Sequence, residues 1–144
     1  MALFTVEHVT PLGAPAAWER LTDWPRHGDR VPLTRVSRRG AGPTGAGTVV
    51  LARTGVGRLG FDDPMEVVHW SPPAGGGPGR CRLVKRGRVV HGWAEFEVVP
   101  LAVGARAVWR EEVSVRGLPA WCEAAVAPVG RLLFGGVLRH LLRG

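Results

Sequence analysis

Glycine and proline recur along the middle of this chain at short, regular intervals. The stretches "RRGAGPTGAG", "RTGVGRLG", "SPPAGGGPG", "PLAVGA" and "RGLP" punctuate residues 38–119. Between them lie runs rich in Val, Leu and Trp, which suit a pleated, half-buried surface. This punctuation predicts strands over 3–9, 33–38, 47–53, 64–70, 80–86, 89–99 and 105–115. Tight turns join antiparallel neighbours, so the last six strands read as one meander after an initial crossover.

Helical signals sit at the two ends. In "PLGAPAAWERLTDWPRHGDRVP", good helix formers predict a helix over 14–21, with Trp18 and Leu21 on one side. Pro25 removes an N–H and disfavours helix for Trp24, so that helix stops and a second short one restarts over 25–30. The break predicts two short helices supporting one end of a curved sheet that closes over a cavity. Trp18 is expected beneath the sheet, and Trp24 at the opening beside the last helix.

That last helix is expected over 122–142. Cys122, Val126, Val129, Leu133, Val137 and His140 fall within one arc at helical spacing, while Arg131, Arg139 and Arg143 lie opposite. Pro128 predicts a kink or break near 125–128. The arc is expected to pack on the sheet, because an exposed stripe of that size is an aggregation hazard. An amphipathic helix lying on a membrane is the alternative.

Composition bounds the function. The 144 residues suit one domain, 45% of them hydrophobic and 22% charged, and no apolar run reaches the ~18 residues that span a bilayer. The start lacks a basic n-region, so a cytoplasmic protein is the expectation. Cys81 and Cys122 form no metal-ligand spacing and are expected to be buried and reduced, and the five histidines are scattered, so no metal is expected. The net charge is +7, and Lys85 is the only lysine among 19 basic residues. No recognition-helix or RNP-like pattern accompanies the charge. A nucleic acid is therefore not the expected partner, and an anionic membrane surface is a lesser alternative.

Several stretches resemble the START-like (birch-allergen-like) superfamily, the SRPBCC group that includes polyketide cyclase/dehydratase-like proteins. "TPLGAPAAWERLTDW" is similar to its first strand end and Trp-centred helix. "GPTGAGTVVLAR" resembles the turn into its third strand, and "MEVVHWSPP" a strand ending in a Pro-Pro turn. "HGWAEFEVVPLAVGARAVWREEV" resembles its last hairpin. The resemblance covers nearly the whole chain. It implies an α+β helix-grip fold: a seven-stranded antiparallel curved sheet, two short helices after strand 1, and a long C-terminal helix. It further implies binding of a hydrophobic small molecule, lipid-like or aromatic, or a polyketide cyclase/dehydratase-like activity in the same cavity. Neither requires a cofactor. The motifs are structural and include no short catalytic signature.

Strand alternation selects the cavity wall. In "ARAVWREEV", the more charged set, Arg106, Val108, Arg110 and Glu112, is placed in solvent, which turns Trp109 and Glu111 inward. In "HGWAEFEVV", Ala94, Phe96 and Val98 are placed inward, and His91 with Trp93 outward. His69 is likewise expected on the outer face. Leu83 is the inward choice in "RCRLVKR", and Val49 and Leu51 in "TVVLAR". The expected ligand-binding residues are Trp24, Leu51, Leu83, Ala94, Phe96, Trp109, Glu111, Val129 and Leu133. Glu111 is the one catalytic candidate. On an apolar face it needs a partner, and desolvation raises its pKa. It either serves a ligand or reaction, or it meets water or an arginine.

Overall fold

A computed structural model describes residues 1–143. Strand β1 (Ala2–Thr10) leads into helix α1 (Ala14–Leu21) and a 3-10 turn (Trp24–Gly28). Then follow β2 (Thr34–Arg38), β3 (Val49–Val56), β4 (Leu59–Ser71), β5 (Gly79–Lys85), β6 (Val90–Pro100) and β7 (Ala105–Val115), and finally helix α2 (Ala120–Leu141). The sheet order is β1-β7-β6-β5-β4-β3-β2, with antiparallel neighbours throughout. The meander and the initial crossover are as expected, and the curled sheet with its long terminal helix is the helix-grip α+β fold.

Pro25 acts as predicted. Helix α1 ends at Leu21, and the chain restarts with Pro25 in the first turn of the next segment. That segment is shorter than expected and has 3-10 geometry, its Asp29 N–H bonding to Arg26 O. Trp18 is buried against Trp70, with ring centroids 5.1 Å apart, and packs on the backbone of Gly79, where a Cβ would lie 2.8 Å from its ring. Trp24 is buried against Phe96 and donates its indole N–H to Thr44 Oγ1 at 3.1 Å.

Helix α2 departs from expectation in two ways. It runs through Pro128 without the break that was one of the two outcomes expected there. Pro128 and Ala124 are both exposed, so the carbonyl that Pro128 leaves unbonded faces water and the helix need not break. The predicted arc is also not uniformly core. Val137, Leu138, Leu141 and Leu142 are buried, and Thr10 Oγ1 donates to Leu142 O at 2.8 Å, pinning this end to β1. In the preceding turns Val129 is 50% exposed, and Trp121 and Leu132 on the outer side are 79% and 74% exposed. The first half of α2 covers a cavity rather than filling a core.

Strand β4 starts at Leu59, five residues before the expected start, because the glycines read as punctuation belong to the β3–β4 hairpin. Gly57, at φ 59°, makes the turn. Gly55 and Gly60 face each other so closely that a Cβ on Gly55 would lie 2.1 Å from Leu59 O. His69 and His91 are exposed as expected. Val108 is on the outward set but is buried, and Cys122 is only half-buried.

Candidate functional site

The concave face of the sheet and the first half of α2 enclose a cavity of about 440 Å³. Phe4 of β1, Phe96 of β6, Trp109 of β7 and Phe134 of α2 form its aromatic wall. Trp109 stands 4.8 Å from Phe96 and 4.7 Å from Phe134 by ring centroid, and Phe4 stacks on Phe134 at 5.6 Å. The wall residues most open to solvent include Val129 of α2 and Phe61 of the β3–β4 hairpin, the latter 38% exposed. The mouth therefore lies between these two elements.

Of the expected residues, Trp24, Leu83, Ala94, Phe96, Trp109, Glu111, Val129 and Leu133 stand in this wall. Leu51 does not. Val50, Ala52 and Thr54 are the β3 residues that face the cavity, and Leu51 sits on the other side of the strand. "TVVLA" is apolar on both faces and carries no phase of its own. The exposed Arg53, salt-bridged to Asp62 at 2.8 Å, fixes Leu51 and Val49 as outward.

Glu111 has a lysine partner, not the water or arginine considered from the sequence. Lys85 Nζ lies 3.0 Å from Glu111 Oε1 and 2.6 Å from Asp63 Oδ2. All three residues are buried and stand in the cavity wall. They reach one another across the sheet because β6 contributes only Gly92 and Ala94 between them. Leu83 pairs with Ala94, and Ala94 with Glu111. Sequence reasoning missed Lys85 and Asp63, although both were within its reach. Lys85 alternates with Leu83 and Cys81, and Asp63 alternates with Met65 and Val67, so each shares an inward phase with apolar neighbours.

Burial pushes the Glu111 carboxyl up, and the Lys85 ammonium opposes that rise only in part. Burial alone would lower Lys85, but the Glu111 and Asp63 carboxylates hold it above the ordinary lysine value. Lys85 is thus a held cation and a poor base at neutral pH. Asp63 Oδ1, Glu111 Oε2 and Trp109 Nε1 are buried without a well-aligned hydrogen bond, and the Trp109 indole N–H faces the Glu111 carboxyl and opposes its rise. His27, also in the wall, is neutral: burial lowers it to about 4, while its Nε2–H donates to Leu21 O at 2.6 Å. The Cys81 thiol is pushed up to about 12 by burial, which leaves it unreactive. Among the described residues no group of His, Cys, Asp and Glu is arranged to hold a metal ion.

No family model matches the sequence, and no curated protein matches it. Solved structures do match. The chain is similar to a START superfamily protein from Mycobacterium smegmatis, with TM-score 0.69 and 14% identity, covering 98% of this chain and 95% of that one. It is similar to the ZhuI aromatase/cyclase from Streptomyces sp. R1128, with TM-score 0.54 and 18% identity, covering 97% and 87%. It is also similar to Ara h 8.0201, with TM-score 0.60 and 11% identity, covering 98% and 97%. At these identities the likeness shows the fold alone, and it is the helix-grip fold that the sequence resemblance implied.

Proposed function

We propose that this START-like helix-grip chain binds a hydrophobic small molecule, lipid-like or aromatic, between the sheet and α2. The observation that carries the reading is a cavity of about 440 Å³ with a largely aliphatic and aromatic wall and one buried polar cluster, Asp63–Lys85–Glu111. That volume is in the range of small-molecule sites, and a few placed polar groups on an apolar wall are what orient a ligand. A ligand that binds only the folded chain stabilises it by ~2.7 kcal/mol at a hundredfold excess over its dissociation constant. A thermal-shift screen of fatty alcohols, sterols and aromatic polyketides should therefore give at least one clear upward shift. No shift from any apolar compound overturns the reading.

A second reading, a polyketide cyclase/dehydratase-like enzyme, is favoured by Glu111. Its carboxyl holds a proton above the ordinary range while facing the cavity, as a general acid must. One solved structure of similar fold is named an aromatase/cyclase, which fits this reading. Product formation from a poly-β-ketone substrate, lost in Glu111→Gln while ligand affinity persists, decides for catalysis. Binding with no turnover decides for a carrier.

A further inference from the structure

We infer that the cavity selects an uncharged apolar molecule bearing a hydroxyl or phenol group and rejects the corresponding carboxylate. This rests on the binding reading above and names the chemistry of the ligand's polar end.

The argument is an inventory of hydrogen-bonding groups. An ammonium has three N–H donors and no acceptor. Lys85 Nζ directs its donors to Asp63 Oδ2 at 2.6 Å, Glu111 Oε1 at 3.0 Å and Met65 Sδ at 3.6 Å. An incoming anion would find only the one donor that the weakly accepting Met65 thioether now holds. Other polar groups in the wall are engaged as well. Thr34 and Thr54 share a hydrogen bond of 2.9 Å, Trp24 donates to Thr44, and the His27 N–H is used by Leu21 O. The buried wall atoms without a well-aligned partner are Asp63 Oδ1, Glu111 Oε2 and Trp109 Nε1, the last of which faces the Glu111 carboxyl.

Leaving such atoms unpaired is costly, so a ligand that pairs them gains affinity. Trp109 donates and Asp63 Oδ1 accepts. Glu111 Oε2 accepts when ionised and donates when it carries the proton. A hydroxyl both donates and accepts: with Glu111 protonated it can complement all three atoms, and with Glu111 ionised it pairs the indole and one of the two carboxylate oxygens. A ketone leaves the aspartate oxygen without a donor. A ligand carboxylate adds a third acid to two carboxyls that already share one cation, in a site where charge is poorly screened. The +7 net charge would draw anions to the protein, yet the wall of the cavity is unsuited to them.

Isothermal titration with biphenyl, 4-phenylphenol and biphenyl-4-carboxylate at pH 7 tests this on one skeleton. The phenol should bind about tenfold tighter than biphenyl, the factor expected for one hydrogen bond to a charged acceptor. The carboxylate should bind at least about tenfold more weakly than biphenyl. In Glu111→Met, which keeps the Lys85–Asp63 pair, the ratios of phenol to biphenyl affinity and of carboxylate to biphenyl affinity should both move toward one. Biphenyl is the control for an intact cavity. If that variant loses biphenyl binding, the wild-type series alone decides. Equal affinities for biphenyl and the phenol, or a carboxylate as tight as the phenol, overturn the selectivity but leave binding intact. Failure of all three to bind overturns the binding reading and the selectivity with it.

Discussion

Lys85 Nζ and Glu111 Oε1 meet at 3.0 Å although their strands, β5 and β7, are separated by β6. The contact exists because Ala94 is small and Gly92 has no side chain, so two long side chains can close over the strand between them. Asp63 joins from β4 at 2.6 Å, giving one ammonium two carboxyl neighbours inside an apolar wall.

Removing the cation should leave two buried acids without a counter-charge. Lys85→Met is expected to lose about 3–5 kcal/mol at neutral pH, the cost of breaking a buried pair from one side. Acidification should return part of the loss, because the orphaned carboxyls then take up protons. Urea melts at pH 7 and pH 4.5 measure both; a variant as stable as wild type at pH 7 contradicts the buried pair.

His27 predicts loss of stability in acid. It stays neutral in the fold down to about 4, whereas an imidazole in the unfolded chain takes its proton near 6.5. Between these values the unfolded chain binds more protons, so stability falls as pH drops through the window, by roughly 3 kcal/mol at most. His27→Gln, whose amide can still donate to Leu21 O, should flatten that slope in urea melts at stepped pH.

Glu111 acts in the opposite sense. Its folded pKa is raised above the ordinary glutamate value, so the folded chain holds the proton longer and this contribution is fullest in acid. As pH rises from the ordinary carboxylate range through the folded value, the contribution is lost. Glu111→Gln should remove that decline, seen as a smaller difference in melting temperature between pH 5 and pH 8.

Most of the architecture was legible because strands and punctuation alternate plainly from β4 to β7. Where one face is charged, as along "ARAVWREEV", inward phase follows and Trp109 and Glu111 are placed correctly. Where both faces are apolar, as along "TVVLA", phase is lost and Leu51 was turned the wrong way. Lys85 was hidden differently. Its alternation with Leu83 was visible, but a cation among five basic residues reads as a solvated face until its carboxyl partners are found on other strands. The half-empty underside of α2 was not legible, since periodicity gives the direction of a helix face and not what lies beneath it.

The two halves of α2 should respond unequally to truncation. Leu138→Ala, in the packed half, is expected to lose about 2–5 kcal/mol. Val129→Ala, over the cavity and 50% exposed, should lose less than about 1 kcal/mol. Denaturant midpoints of the two variants check this, and equal losses contradict the division of the helix.

Gly130 should regulate cavity size. A Cβ there would lie 2.6 Å from the Phe4 ring, so Gly130→Ala must displace that ring, which stands in the cavity wall. Affinity for biphenyl should fall more than stability does, measured by titration and by thermal melting of the ligand-free variant.

The most direct test is a crystal structure of the complex with 4-phenylphenol. The account predicts its rings against Phe96, Trp109 and Leu133, with its oxygen within hydrogen-bonding distance of Asp63 Oδ1 or Glu111 Oε2. A cavity filled by the protein's own side chains, with the ligand seated on the exposed Trp121–Leu132 side of α2, would contradict it.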